Sequence, residues 1–328
     1  MLPPVDEEQL AESPFTALGL GRPIVEAVLQ KGYSQPSSIQ QQCIPAVLAG
    51  RDVMAAAQTG TGKTAGFTLP MLERLRHGPH ARGRIVRSLV LTPTRELAAQ
   101  VADNVKAYSR HLDLRSDVVF GGVKINPQIT RLQAGADVLV ATPGRLMDLV
   151  QQGAISLDRV EILVLDEADR MLDMGFVDAV KIIAKATPSN RQTLLFSATF
   201  EGKVMEIAKQ LLRNPARVQL AANHDRHASI EQRLHHADDH GHKHDLLSHY
   251  LSSTELSQAV IFTATKRGAD KLARRLADQG HASAALHGDM GQGARKRTVE
   301  QMRRGKFRLL VATDVASRGL DIKGISHV

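Results

Sequence analysis

The sequence predicts two α/β domains, each built on a parallel β-sheet. Three observations carry this. Short apolar runs alternate with segments of helical periodicity, and each run ends in a polar or glycine-rich turn. That alternation is the pattern of a parallel sheet covered on both faces. It breaks once, around 219–229, and then resumes. The length of 328 residues exceeds one ordinary domain and suits two.

The first runs lie at 53–57, 89–91, 118–120, 138–141, 162–165 and 193–196, with helical stretches such as 64–75 and 96–109 between them. Residues 221–227 have no apolar periodicity and read as a linker. A second series follows at 259–262, 282–286 and 309–312. The expected division is an N-terminal extension over 1–14, a first domain over 15–219, a linker over 220–228 and a second domain over 229–328. The last residues, Ile325-Ser326-His327-Val328, read as a strand beginning. The second domain is therefore expected to be incomplete at its C-terminus.

Composition narrows the partners. Hydrophobic residues make up 43 %, with no run apolar enough to span a bilayer. Residues 1–13 are acidic and lack the basic-then-apolar pattern of a signal peptide, so a cytoplasmic protein is expected. Cys43 is the only cysteine, which rules out an internal disulfide. Lys and Arg number 42 against 34 Asp and Glu, a net charge of +8 that attracts polyanions, nucleic acid above all. Aromatics are only 3 %, with no Trp, so base stacking is not expected to dominate. A grip on nucleic acid would fall on the backbone.

Two motifs carry chemistry on their own residues. Ala57-Gln58-Thr59-Gly60-Thr61-Gly62-Lys63-Thr64 lies between a strand and a helix. A P-loop has Gly where Ala57 stands, but the rest is present. Gly60 and Gly62 let the backbone N–H groups of Thr59 to Thr64 curl around phosphates. Lys63 reaches the outer phosphates, and the Thr64 hydroxyl suits Mg²⁺. The helix N-terminus adds favourable partial charge. A glycine-rich helix cap is the plain alternative. The apolar run 162–165 then delivers Asp166-Glu167-Ala168-Asp169. Acids at the end of a buried strand are costly unless they face a cation or a partner. Asp166 suits Mg²⁺ through water, and Glu167 suits orienting the attacking water.

With these two motifs in this order, the chain resembles the DEAD-box ATP-dependent RNA helicases, and bacterial members of the RhlE type among them. The resemblance runs from Phe15 to Val328 and is strongest over 51–64, 166–176 and 312–322. It implies two RecA-like domains, ATP and Mg²⁺ as cofactors, and RNA as the partner of a protein expected to be a monomer. In this light Lys63, Asp166 and Glu167 are the catalytic candidates. Residues 32–40 are similar to the family's Q motif, in which the amide of Gln40 would bond adenine at N6 and N7. Tyr33 would stack on the ring, and Phe15 stands where the family keeps an upstream aromatic. Each is ordinary alone: Gln40 could cap the next helix and Tyr33 could be core.

Further segments follow strands in family order. Pro93-Thr94-Arg95, Gly121-Gly122 and Thr142-Pro143-Gly144-Arg145 offer phosphate and sugar ligands without sequence information. The resemblance makes them an RNA track, continued by Thr263, Arg267, Gly288, Gln292, Arg295 and Thr313. Ser197 and Thr199 would couple nucleotide to RNA through the acidic motif at Asp169, or cap a helix. Gly319 and Asp321 would reach the nucleotide, Asp321 at the ribose; a solvated turn is the alternative. The family ends its core with an arginine motif that touches the γ-phosphate. No such segment occurs in these 328 residues, so the chain alone is expected to hydrolyse ATP poorly. One feature lies outside the resemblance. His235, His236, His240, His242 and His244 crowd with Asp238, Asp239 and Asp245. The spacing fits no defined zinc pattern, and an exposed, solvated stretch is expected.

Overall fold

A computed structural model describes residues 6–57, 60–219, 230–314, 322 and 324–328. The chain divides into two compact units, Met1–Ala222 and Asn223–Val328. The expected linker 220–228 and the site candidates Thr59, Gly319 and Asp321 lie outside the described residues.

The first unit opens with four helices, α1 (Glu7–Ala11), α2 (Pro14–Ala17), α3 (Arg22–Gln30) and α4 (Ser38–Leu48). Strand and helix then alternate: β1 (Val53–Ala56), α5 (Lys63–Leu75), β2 (Val86–Leu91), α6 (Arg95–Tyr108), β3 (Ser116–Val119) and α7 (Asn126–Leu132). The series continues through β4 (Ala136–Ala141), α8 (Pro143–Gln151), β5 (Ile162–Leu165), α9 (Ala168–Asp173) and α10 (Val177–Ala186). It ends with β6 (Gln192–Ser197), α11 (Gly202–Leu211) and β7 (Ala216–Gln219). The seven strands form one parallel sheet, β3-β4-β2-β5-β6-β1-β7.

Two-residue periodicity divides each central strand between two cores. Ile162 and Val164 of β5 face a core with α4, α5 and α6, while Leu163 and Leu165 face one with α8 to α11. Both faces being covered, β2, β4, β5 and β6 are buried along their whole length. This leaves the carboxyl ends of the strands as the place where polar groups can gather.

The second unit contains α12 (His240–Leu251), β8 (Ala259–Thr263), α13 (Lys266–Asp278), β9 (Ser283–Leu286), α14 (Gln292–Arg303) and β10 (Leu309–Thr313). Its parallel sheet runs β8-β10-β9. The expected terminal strand is a single parallel bridge, His327 to Ala259. Among the described residues no helix is long and apolar enough to cross a membrane.

Candidate active site

Gly60 and Gly62 hold φ of +81° and +92°, the left-handed region that glycine enters without cost. Ala57 has no such φ, and its methyl group is buried, so a side chain is tolerated where the P-loop pattern has glycine. Gly62 is the N-cap of α5. A Cβ added there would lie 2.5 Å from Gln40 Nε2 and 2.8 Å from Ser37 Oγ. The reason is a brace: Ser37 Oγ donates to the Thr61 carbonyl at 2.8 Å, and Gln40 Nε2 donates to the Gly62 carbonyl at 3.1 Å. The Ser37 N–H donates in turn to Gln40 Oε1 at 3.0 Å, closing a capping box on α4. Sequence reasoning missed Ser37; the Ser-x-x-Gln spacing over 37–40 was the available signal. Lys63, the first residue of α5, is 7 % exposed, and Thr64 follows half-buried.

Asp166 sits just past β5, its backbone N–H bonded to the Leu91 carbonyl at 2.9 Å. Its side chain is buried, and Oδ1 has no hydrogen-bond partner among the described residues. Burial pushes its carboxyl up to about 6, against the pull of Lys63, while Glu167 and Asp169 push further upward. An orphaned carboxylate oxygen beside a lysine and a glycine-rich phosphate cradle fits a nucleotide phosphate carrying a divalent cation. Glu167 adopts φ +55°, ψ +53° and receives Arg170 Nη1 on Oε2 at 2.9 Å.

Asp166 yields a test by linkage. Its folded-state pKa lies above the ordinary 3.8, so the folded protein binds the extra proton between about pH 4 and 6. Stability is therefore lost as pH rises through that window, by on the order of 3 kcal/mol. Asp166→Asn removes the titration. The nucleotide-free variant is expected to melt higher than the parent above pH 6, with the gap closing near pH 4. A gap independent of pH would rule out Asp166 as its source.

The remaining candidates group by strand end. Ser197 Oγ accepts from the Asp169 N–H at 3.3 Å, and Asp169 Oδ2 accepts from the Ala198 N–H at 3.2 Å, while Thr199 is exposed. Thr94 caps α6 through the Leu97 N–H, behind buried Pro93. The Arg95 guanidinium lies against Gly122, at φ +74°, where a Cβ would collide with it; Gly121 precedes it. Arg145 Nη2 donates to the Val123 carbonyl at 3.0 Å, and its Nε and Nη1 are buried without hydrogen-bond partners among the described residues, Nε lying 3.6 Å from Asp148 Oδ2. Thr142 and Pro143 are buried, and Gly144 is exposed with open space around it. The three segments thus converge at the ends of β2, β3 and β4. In the second unit Thr263 and Thr313 are register partners at the ends of β8 and β10. Gly288 borders Lys266, which pairs with Asp289 at 2.5 Å; Arg267 is exposed, and Gln292 and Arg295 lie in the first turn of α14.

One expectation needs correction. Phe15 is 1 % exposed and belongs to the core beneath α3 and α4, so its ring is not presented to a ligand. Tyr33 is 44 % exposed, which removes the plain alternative of a core residue and leaves its ring accessible. Gln40 is tied at both ends of its amide, with one lone pair and one N–H hydrogen still available. The histidine tract is largely exposed at the start of α12, where Asp239 caps the His242 N–H and Asp238 pairs with His242. No cluster suited to a metal ion occurs among the described residues.

Comparison with known proteins accords with this geometry. Residues 37–207 match the DEAD/DEAH box helicase family, and 242–328 match the helicase conserved C-terminal domain. The DEAD-box ATP-dependent RNA helicase RhpA of Helicobacter pylori is 39 % identical over 324 residues, 99 % of this chain and 65 % of that protein. The RNA helicase CrhR of Synechocystis is 42 % identical over 316 residues, 96 % of this chain and 63 % of that protein. The chain thus spans just under two thirds of the length of these relatives. Among solved structures, Saccharomyces cerevisiae Dbp5 bound to RNA and ADP BeF3 superposes with a TM-score of 0.83 at 32 % identity, over 95 % of this chain and 79 % of that one. A DEAD box protein from Methanococcus jannaschii gives 0.60 at 35 % identity, over 95 % and 83 %. The two units are RecA-like α/β domains, and the chain belongs to the DEAD/DEAH box helicase family.

Proposed function

We propose that this chain is the ATP-driven core of a bacterial, RhlE-like RNA helicase. It would grip single-stranded RNA by the backbone and separate short duplexes. The observation that supports this most is the unpartnered, buried Asp166 carboxylate beside Lys63 at the mouth of the braced phosphate loop. Lys63 and the N–H groups of residues 60–64 hold phosphate oxygens. Thr64 and Asp166 would hold Mg²⁺, which when bound neutralises phosphate charge. Glu167 orients and deprotonates the attacking water. The bonds of Asp169 to Ser197 Oγ and to the Ala198 N–H connect the acidic motif to the strand beside it, a route by which nucleotide and RNA occupancy sense each other. Dbp5 was captured with RNA and a nucleotide complex, which supports RNA as the partner. Backbone contacts give little sequence preference, and a cytoplasmic monomer fits this role.

The test is phosphate release and strand separation on a short RNA duplex, run with and without ATP. ATP-dependent separation is expected of a longer form that carries an arginine motif, and slow phosphate release of these 328 residues alone. RNA retention without separation would leave an ATP-gated clamp instead, and equal action on DNA would remove the RNA preference.

Gln40→Ala separates base recognition from loop support. Losing the bond to the Gly62 carbonyl costs about 1 kcal/mol for any nucleotide. Losing adenine contacts should weaken ATP beyond the common loss seen with GTP. Equal losses in equilibrium titrations would leave Gln40 as a brace alone.

A further inference from the structure

Helix α13 turns Ala269, Ala273 and Leu276 into the core of the second unit. Arg267, Lys271, Arg274 and Arg275 remain exposed on it. None of these four forms an ion pair among the described residues. Their spacing of i, i+4, i+7 and i+8 places them on one stripe, about 12 Å long at 1.5 Å per residue. With Asp270 and Asp278 they line an open hollow of about 520 Å³. Asp270 is hydrogen-bonded by His287 at 3.0 Å, and it and Asp278 are two carboxylates against four cations.

Helix α12 of the same unit feels this charge. The His244 imidazole is held below its ordinary value by burial first, then by Arg275, His240 and Lys271, with Asp245 acting the other way. That direction favours the neutral imidazole, so His244 adds no fixed positive charge to the stripe. A solvated helix face ordinarily intersperses both signs at i, i+4 spacing. Here Asp270 and Asp278 are interspersed but outnumbered two to one, and the excess positive charge favours an anion over the face.

We propose that Lys271, Arg274 and Arg275 form a second contact for RNA phosphates. It continues from Arg267 beyond the segments assigned to RNA above, and it rests on the proposal that the chain binds RNA. Guanidinium groups suit phosphate by paired donors. The stripe carries no aromatic side chain, so the contact reads charge and not bases.

The test is a Lys271→Glu, Arg274→Glu, Arg275→Glu triple variant, with circular dichroism to verify the fold. RNA affinity is measured against salt for two oligouridylates. One is just long enough to fill the track at the strand ends, and one is several times longer. The parent is expected to prefer the longer RNA by more than its extra binding registers explain. In the variant that preference disappears, and the log–log salt slope for the longer RNA shrinks by about 2, from 0.7 per phosphate contact on single strands. Affinity for the shorter RNA and the maximal ATP turnover stay unchanged. Unchanged affinity for the longer RNA would make the stripe a solvated face and overturn the proposal. So would an equal loss on both lengths, which marks a general field effect. Displacement of the longer RNA by polyglutamate as readily as by polyphosphate would point to an acidic protein partner and also overturn it. A parent that bound neither RNA would defeat the proposed function itself.

Discussion

Lys63→Ala is expected to weaken ATP binding by roughly a hundredfold or more, the scale of truncating one partner of a desolvated, hydrogen-bonded charge pair. Lys63 is buried at the first position of α5, so its ammonium is not simply replaced by water or a mobile surface lysine. Its loss has a second consequence. Lys63 is the largest influence holding the Asp166 carboxyl down, and without it that carboxyl moves further above about 6. At neutral pH a larger share of Asp166 would then be protonated and unable to ligate a cation. The variant's residual nucleotide binding should therefore rise as pH is raised from 6 to 8, more steeply than the parent's. Equilibrium titration with a fluorescent ATP analogue across that range measures both effects. Parental affinity in the variant would remove Lys63 from the site. Lys63→Arg should restore charge near Asp166 without restoring tight binding, because the planar fork does not reproduce a compact ammonium.

Apolar patterning located the strands, but it located their middles better than their beginnings. β2 starts at Val86, three residues before the run at 89–91, because Arg87 and Ser88 interrupt the apolar pattern. Both are buried: Arg87 bonds Glu161 Oε1 at 2.7 Å and the Leu75 carbonyl at 2.9 Å, and Ser88 Oγ contacts Met71 Sδ at 2.8 Å. Asp137 near the start of β4 is equally hidden from a hydropathy pattern, its carboxylate accepting the N–H groups of Ala81 and Arg115. Gln192 at the start of β6 donates to the carbonyls of Val47 and Arg51. These groups bond to partners distant in sequence, which no local period can reveal, although Gln192 Oε1 is buried without a hydrogen-bond partner among the described residues. β7 escaped notice because only Val218 of its four residues is buried.

The site was legible where function depends on spacing and backbone, and less so where it depends on burial. Glycines at 60 and 62 announce a left-handed turn before a helix, and the structure places them in one. Whether an aromatic faces a ligand or a core depends on what packs over it. Phe15 took the opposite environment from the one expected, while Tyr33 is accessible as a stacking role requires, since neighbours in space decide this. The role of Gln40 was open between capping and recognition. The amide caps α4 and braces the phosphate loop at once, because a carboxamide has more bonding capacity than either task uses.

Glu167→Gln is expected to leave ATP and RNA bound while turnover falls by about 10²–10⁴, the usual contribution of a general base. The amide keeps the shape of the side chain and can still accept from Arg170 Nη1, so the local structure has no reason to change. A second substitution distinguishes a catalytic carboxylate from a structural one. At φ +55° Glu167 occupies a region that a residue with a Cβ enters at a cost of roughly 1–2 kcal/mol. A structural residue would be expected to repay that cost in packing or pairing, and Glu167 has the part-buried pair with Arg170 for that role. Glu167→Gly removes the strain together with the carboxylate. It should melt about 2–4 °C higher, given 1 kcal/mol in a domain of this size, and be as inactive as the Gln variant. Thermal melts and phosphate release under saturating RNA measure the two quantities on the same samples. Loss of stability in Glu167→Gly would mean that the carboxylate holds the turn together, and a Gln variant that released RNA as well as losing turnover would agree. A stability gain paired with lost turnover would mean that the backbone tolerates strain at 167 to aim an acid at the phosphate loop.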